Sequence, residues 1–389
     1  MDVLTGGRVR MDAGDVPVEV AQPLVDGHCH SVVAATPDRP AFELFLTEAD
    51  QPPPPGVSYA DSPLGLAVRR WCAPPLELPP GVGLDDYLAR RADLGPHEVG
   101  VRLLGASGLS HLLVDTGIGG DGYVRVGSLG AAADAEAREV VRLETVAESV
   151  AASGVRPDDF AEVFVATLSA ATSDAVAVKS ILAYRHGFDV DPARPAPADV
   201  RTAARAWLGG SPARDGRQWR LDDPVLLRFV LWCGIDRGLP VQLHTGFGDR
   251  DVRLASVNPA LLQGFFASVE PTGVPIVLLH CYPYHREAGW LASVYRHVYV
   301  DVGLTLSHVG AQANVVLGEF CELAPFGKLL YSSDAYGLPE LYLVGAAQFR
   351  MAMGAVLTRW RQGGAVTAQD AQRIATSIGS ANARRLYAL

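Results

Sequence analysis

Short apolar runs that stop at a polar residue recur along the chain, and most are followed by a stretch of helical periodicity. The runs are QPLVDGHCH (22–30), HLLVDTG (111–117), EVVRLETVA (139–147), AVAVKSI (175–181), PVQLHTG (240–246), PIVLLHC (275–281), HVYVDVGLT (297–305) and KLLYSSDA (328–335). Near-continuous Val, Ile and Leu predict strands covered on both faces. Helical patterns fall at 158–172, 224–238, 257–269, 286–296 and 338–361. Strand–helix units repeated in series predict an α/β fold, a parallel (β/α)8 barrel of the TIM type. Segment 38–107 is too long for one loop. Its patterns SPLGLAVRRW and DDYLARRADLG predict a helical insertion after strand 1. DQPPPPG (50–56), DPARPAPAD (191–199) and GGSPARDGRQWR (209–220) read as loops rather than linkers, so 1–389 is expected to be a single barrel domain.

Composition narrows the function classes. The chain is 49% hydrophobic and 20% charged, with a formal net charge of −10, which argues against nucleic acid or an anionic membrane as the main partner. Five scattered cysteines without CxxC spacing suit a reducing cytoplasm better than a disulfide framework. The N-terminal MDVLTGGRVRMDAGDVP has no apolar h-region, so no secretory signal is expected, and no uninterrupted apolar run is long enough to predict a membrane span.

The unusual polar residues fall where the strands end, and the C-terminal ends of barrel strands carry the active site. His28 and His30 form His-x-His on strand 1, and residues two apart on a strand share a face, so both imidazoles can reach one metal ion. His244 ends the fifth run and His280 the sixth. Each read alone is equally a satisfied core histidine; with the first pair, the ligand reading is better. Asp334 follows the eighth run, where a carboxylate can bind a metal and take a proton from its water. The alternative is a helix N-cap. Of 33 basic residues only two are lysines, Lys179 and Lys328, and Lys179 sits inside an apolar run. Burial favours a neutral amine, which reacts with carbon dioxide to give an anionic carbamate able to bridge metals; arginine, always charged, cannot. The alternative is an ion pair with Asp334 or Glu144.

Further candidates line the expected mouth. Arg185, six residues past Lys179, is placed to hold a substrate carboxylate, or else to make a surface ion pair. Glu144, read on the third strand, is placed to orient a ligand or Lys179, or else opens a helix. Tyr282 follows His280 closely, and Trp71 is a candidate cap from the insertion. GFGDRD lacks the strand–glycine–helix context of a nucleotide loop, and no Gly-x-Ser-x-Gly or CxxC motif supports serine-hydrolase or redox chemistry.

His-x-His on strand 1, lysine on strand 4, histidines on strands 5 and 6 and aspartate on strand 8 resemble the metal site of the amidohydrolase superfamily. VKSILAYRHG, LHTGFGD, HCYPYHREAGWLASVYRHVYVDVG and SSDAYGLPELYLVGA resemble the amidohydrolase-related branch found as the N-terminal half of FluG/nodulin-type glutamine-synthetase fusions. With 389 residues, no synthetase half is expected here. The resemblance implies one or two divalent metals, most often zinc with manganese or iron as alternatives, and a metal-bound hydroxide as nucleophile. It assigns His28, His30, His244, His280 and Asp334 as ligands and Lys179 as a carboxylated bridge. The expected function is a cytoplasmic metal-dependent hydrolase of a small amide or ester, with Asp334 as general base and acid. A γ-glutamyl-type amide is the substrate suggested by the family. The alternatives are a metal-dependent non-oxidative decarboxylase, against which Lys179 argues, and a non-catalytic binding barrel. Expected partners are a small-molecule substrate, with no nucleic acid and no membrane; the oligomeric state is left open between monomer and homo-oligomer.

Overall fold

Eight strands lie in the order β1 to β8, every adjacent pair parallel: β1 Leu24–Cys29, β2 Leu109–Asp115, β3 Glu136–Arg142, β4 Ala177–Ser180, β5 Val241–Thr245, β6 Ile276–His280, β7 Val298–Asp301 and β8 Leu329–Leu330. The structure is a computed structural model that describes residues 20–210 and 219–389. The N-terminal stretch and most of the 209–220 loop lie outside the described residues. Backbone hydrogen bonds bring β8 and the segment after it against β1: Gly27 N–H to the Tyr331 carbonyl (3.0 Å), Asp334 N–H to His28 (3.0 Å) and His30 N–H to Ala335 (2.8 Å). The barrel expected from the strand–helix series is therefore present.

The side-chain period of two sorts the interior into layers. Leu113 on β2, Val140 on β3, Ala177 on β4 and Val277 and Leu279 on β6 pack in an inner apolar cluster with Val25 and Leu330. Two positions further along β2, β3 and β4 stand Asp115, Arg142 and Lys179, so the same face turns polar toward the strand ends. Ala383 and Tyr387, on the helix Asn382–Tyr387, join the inner cluster.

The insertion is helical as expected, with helices Arg39–Leu44, Pro63–Trp71 and Leu84–Ala106. Asp38 and Ser62 cap the first two by accepting from Ala41 N–H and Gly65 N–H, and each helix has proline in its first turn, where no N–H is needed. The third bends at Gly95 (φ 75°), just before Pro96, which cannot donate to the helical ladder. Its Arg91 meets Glu340 of the long helix Pro339–Gln362 (Nε–Oε1 2.5 Å), and Tyr87 donates to the same carboxylate at 2.9 Å. That long helix has the length and apolarity of a membrane span, but 83% of its most apolar window is buried in the fold, as a core helix would be. Trp71 does not line the cavity that holds His30, His280 and Asp334; Arg70 lies over its ring at 4.4 Å, in a separate groove shared with Val309 and Ala352.

Candidate metal centre

His28 and His30 are presented with defined nitrogens. Nδ1 of His30 lies 3.0 Å from the Asp115 carbonyl, which only accepts, so Nδ1 carries the proton and Nε2 the lone pair. Nδ1 of His28 lies 2.8 Å from Gln242 Oε1. The Gln242 amide is oriented by its other end, whose Nε2 donates to the Gly27 carbonyl (2.7 Å) and the Tyr387 hydroxyl (2.9 Å). Both histidines therefore offer Nε2 to the same point.

At that point stands Asp334, with Oδ1 3.3 Å from His28 Nε2 and 3.5 Å from His30 Nε2. The three ligand atoms lie within 4.8 Å of one another. Donors held about 2.1 Å from one tetrahedral ion lie about 3.4 Å apart, so this spacing fits a single cation. Nε2 of His280 is 3.5 Å from Asp334 Oδ2. His280 is fully buried with both ring nitrogens unpartnered, and Asp334 Oδ1 likewise has no hydrogen-bond donor. Buried polar atoms without partners are costly unless something completes them, and a cation would.

The charges agree with that reading. Burial pushes His28 down to about 4 and His280 down to about 3, leaving both as the neutral imidazoles that bind metals. Burial also lowers His244. Lys179 stands beside them, Nζ 3.0 Å from His28 Nε2, and burial lowers it to about 8 despite the pull of Asp115 and Asp334. Neither Asp334 nor Glu144 is its direct hydrogen-bond partner.

Two of these residues sit in strained backbone. His280 (φ 67°) and Asp334 (φ 51°) occupy the left-handed region, which costs a non-glycine residue about 1–3 kcal/mol. Asp301, ending β7, holds the first by accepting from His280 N–H (2.8 Å), Gly303 N–H (3.1 Å) and the Ser332 hydroxyl (3.0 Å). Asp26 of β1 holds the segment before Asp334 by accepting from Ser333 N–H (2.8 Å) and its hydroxyl (2.5 Å).

His244 is set apart. Its Nε2–H donates to the Phe247 carbonyl (3.1 Å), and its ring centroid lies 4.6 Å from that of His280 and 4.4 Å from that of Tyr184. The structure thus gathers His28, His30, Asp334 and His280, with Lys179 alongside and His244 in the adjoining wall. Gly248 makes this wall: a Cβ there would lie 2.2 Å from the Tyr184 hydroxyl and 3.1 Å from His244 Nε2.

A cavity of about 350 Å³ opens over the cluster, a size suited to a small molecule. Arg185 lines it, but its Nη2 pairs with Glu148 at 2.9 Å. Glu144 is not on β3. The strand ends at Arg142 and a helix, Leu143–Ala152, starts at once, so Glu144 lies in its first turn. There it accepts from the Ser180 hydroxyl (2.6 Å) and Ile181 N–H (3.0 Å), fixing the end of β4, and it does not line the cavity. Tyr282 also stands outside the cavity wall, stacked on His285 at 5.6 Å. The sequence reading missed Gln242, Asp301, Asp26 and the Asp115–Arg142 pair (2.7 Å). Each is a polar residue in or ending an apolar run, the one signal that could have found them. It also missed Glu48 of the insertion, which lines the cavity and has no such signal.

The sequence profile of the amidohydrolase family matches residues 25–389. The chain is 30% identical over 404 positions to the protein FluG of Emericella nidulans, covering 94% of this chain and 46% of FluG, so it spans about half the length of that relative. Among solved structures, a protein from Lactobacillus casei described provisionally as a metal-dependent hydrolase superposes with a TM-score of 0.82 at 28% identity, covering 94% of this chain and 95% of its own. A uronate isomerase from Thermotoga maritima shares the fold, with a TM-score of 0.62 at 13% identity over 94% of both chains. On the profile match and the FluG relationship, this chain belongs to the amidohydrolase family.

Proposed function

We propose that the chain is a zinc-dependent hydrolase of a small amide or ester, with γ-glutamyl-type amides as the first class to test. The observation that carries this reading is the convergence of His28 Nε2, His30 Nε2 and Asp334 Oδ1 beneath a cavity of small-molecule size. These three residues, with His280, would hold a divalent cation, and imidazole plus carboxylate suits zinc. A cation bound there supplies Lewis-acid polarisation of the scissile carbonyl and lowers the pKa of water. Asp334, with Oδ1 free of donors, accepts the proton of the attacking water and returns it to the leaving amine or alkoxide. Burial lowers Lys179 to about 8, so about a tenth of it is neutral amine at pH 7, far more than in an ordinary lysine. That amine adds to carbon dioxide, forming the N–C bond of a carbamate and releasing one proton, and so supplies an anionic oxygen donor beside His28.

Metal content of the purified protein and hydrolysis of an amide and ester panel test the proposal together. Stoichiometric zinc and turnover are expected, with a loss of about a hundredfold or more in kcat for Asp334→Asn at full metal loading. A fully loaded Asp334→Asn variant as active as the parent would overturn it.

A further inference from the structure

The seventh apolar run, HVYVDVGLT (297–305), supplies none of the candidate ligands, yet it grips His280 by its peptide groups. Pairing of β6 with β7 stops at Leu278 and Val300, so on that side His280 lies beyond the ladder. Side chains take over there. Asp301 Oδ1 accepts from His280 N–H (2.8 Å) and Gly303 N–H (3.1 Å), and the Thr305 hydroxyl donates to the His280 carbonyl (3.2 Å). Asp301 Oδ2 accepts from the Ser332 hydroxyl (3.0 Å), which ties this grip to the segment carrying Asp334. Gly303 admits that hydroxyl: a Cβ there would lie 2.1 Å from it. Backbone N–H groups bonded to a carboxylate make strong, charge-assisted contacts, and these hold His280 at a φ of 67° that a non-glycine residue keeps only when its surroundings impose it.

The imidazole itself has no such grip. His28 Nδ1 meets Gln242, His30 Nδ1 the Asp115 carbonyl and His244 Nε2 the Phe247 carbonyl, whereas neither ring nitrogen of His280 has a hydrogen-bond partner among the described residues. A metal-binding histidine is ordinarily aimed through its second ring nitrogen. With that route absent, the direction of this ring is fixed from its backbone. We propose that Asp301 is the positioning residue of His280, aiming its ring at the cation through the peptide N–H, with Thr305 acting on the carbonyl. The inference rests on the metal centre of the proposed function and not on the bond that is cut.

Zinc affinity tests this without any substrate. Metal-free full-length protein is titrated with zinc against a chromophoric chelator, and the visible spectrum of the cobalt(II)-loaded protein is recorded. Asp301→Ala is expected to bind zinc about ten- to a hundredfold more weakly, the range for loss of a group that orients a ligand, with an altered cobalt spectrum at full loading. Asp301→Asn keeps an oxygen to accept both N–H groups and is expected to stay within about threefold of the parent, with the parent's spectrum. Thr305→Val removes only the hydroxyl and is expected to weaken binding about two- to tenfold, the range of one neutral hydrogen bond. Arg91→Met, which breaks a buried ion pair outside the centre, is expected to bind zinc as the parent does. Parent affinity in Asp301→Ala, or in Thr305→Val should the first not fold, would overturn the inference. So would an Asp301→Asn variant as weak as Asp301→Ala, or an equal loss in Arg91→Met. A parent that binds no zinc would overturn the metal centre and this inference with it. Zinc bound as expected, with no amide or ester turned over, would sink the hydrolase reading and leave the role of Asp301 standing.

Discussion

Replacing Arg91 by methionine tests whether the insertion is locked to the barrel by buried charge. Arg91 and Glu340 have side chains only 4% and 0% exposed, so this pair is in the regime where loss of one partner strands the other away from water. Glu340 receives Arg91 Nε at 2.5 Å, Arg91 Nη2 at 3.3 Å and the Tyr87 hydroxyl at 2.9 Å. Arg91→Met removes the guanidinium, which also lies over the Phe42 ring at 5.2 Å, and leaves the carboxylate with a single neutral donor. A loss of about 3–5 kcal/mol is expected, a large part of the roughly 5–15 kcal/mol that holds a domain folded. Glu340→Leu strands the guanidinium and is expected to cost a similar amount. The double variant removes both charges and is expected to lose less than either single one, since a buried pair and an apolar replacement are close to equal in free energy. Urea unfolding of metal-free protein gives the three values and their coupling. A near-silent Arg91→Met, or a double variant that loses the sum of the two singles, would refute the reasoning.

If Lys179 carries the proposed carbamate, Lys179→Ala is expected to lose at least about a hundredfold in activity and to regain part of it with acetate or another short carboxylate; a fully active Lys179→Arg would contradict that role. Gly248→Ala drives a methyl group into Tyr184 and His244, so turnover is expected to fall severalfold or more while far-UV circular dichroism is unchanged; unaltered kcat/KM would show that this wall yields. Glu48 is protonated in the folded state up to about pH 8 but ionises near 4.5 when unfolded, so its contribution to stability is lost as pH rises through that window. Glu48→Gln is therefore expected to gain on the parent by up to a few kcal/mol between pH 5 and about 9 in urea titrations, and a pH-independent difference would contradict the burial argument.

Much of this site was legible because the candidate metal ligands, polar residues at strand ends, interrupt apolar runs. His28, His30, His280 and Asp334 are all of this kind, and a parallel barrel brings strand ends together whatever their separation in sequence. Glu144 misled for a related reason. In VVRLETVA, β3 passes into a helix with no intervening loop, so one apolar stretch spans two periodicities and the boundary at Arg142 has no punctuation. KLLYSSDA was likewise read as a longer strand than the two paired residues of β8; the segment beyond them leaves the ladder to give Asp334 its left-handed backbone. The supporting roles of Asp26 and Asp301 depend on register with neighbouring segments, which no single strand reveals. Glu48 reaches the cavity only through the packing of the insertion, a tertiary event with no local mark.

The chain of contacts from Tyr387 through Gln242 to His28 makes a residue on the last helix a determinant of ring chemistry at the first strand. Without that phenol oxygen as acceptor, the carboxamide loses one reason to keep its NH₂ pointing downward. Rotated by half a turn, it would offer hydrogens to His28 instead of a lone pair, and the imidazole would answer by moving its own proton to Nε2, the nitrogen that faces Asp334. Trimming or tagging the C-terminal helix would then dull the enzyme without touching a single residue that meets the substrate.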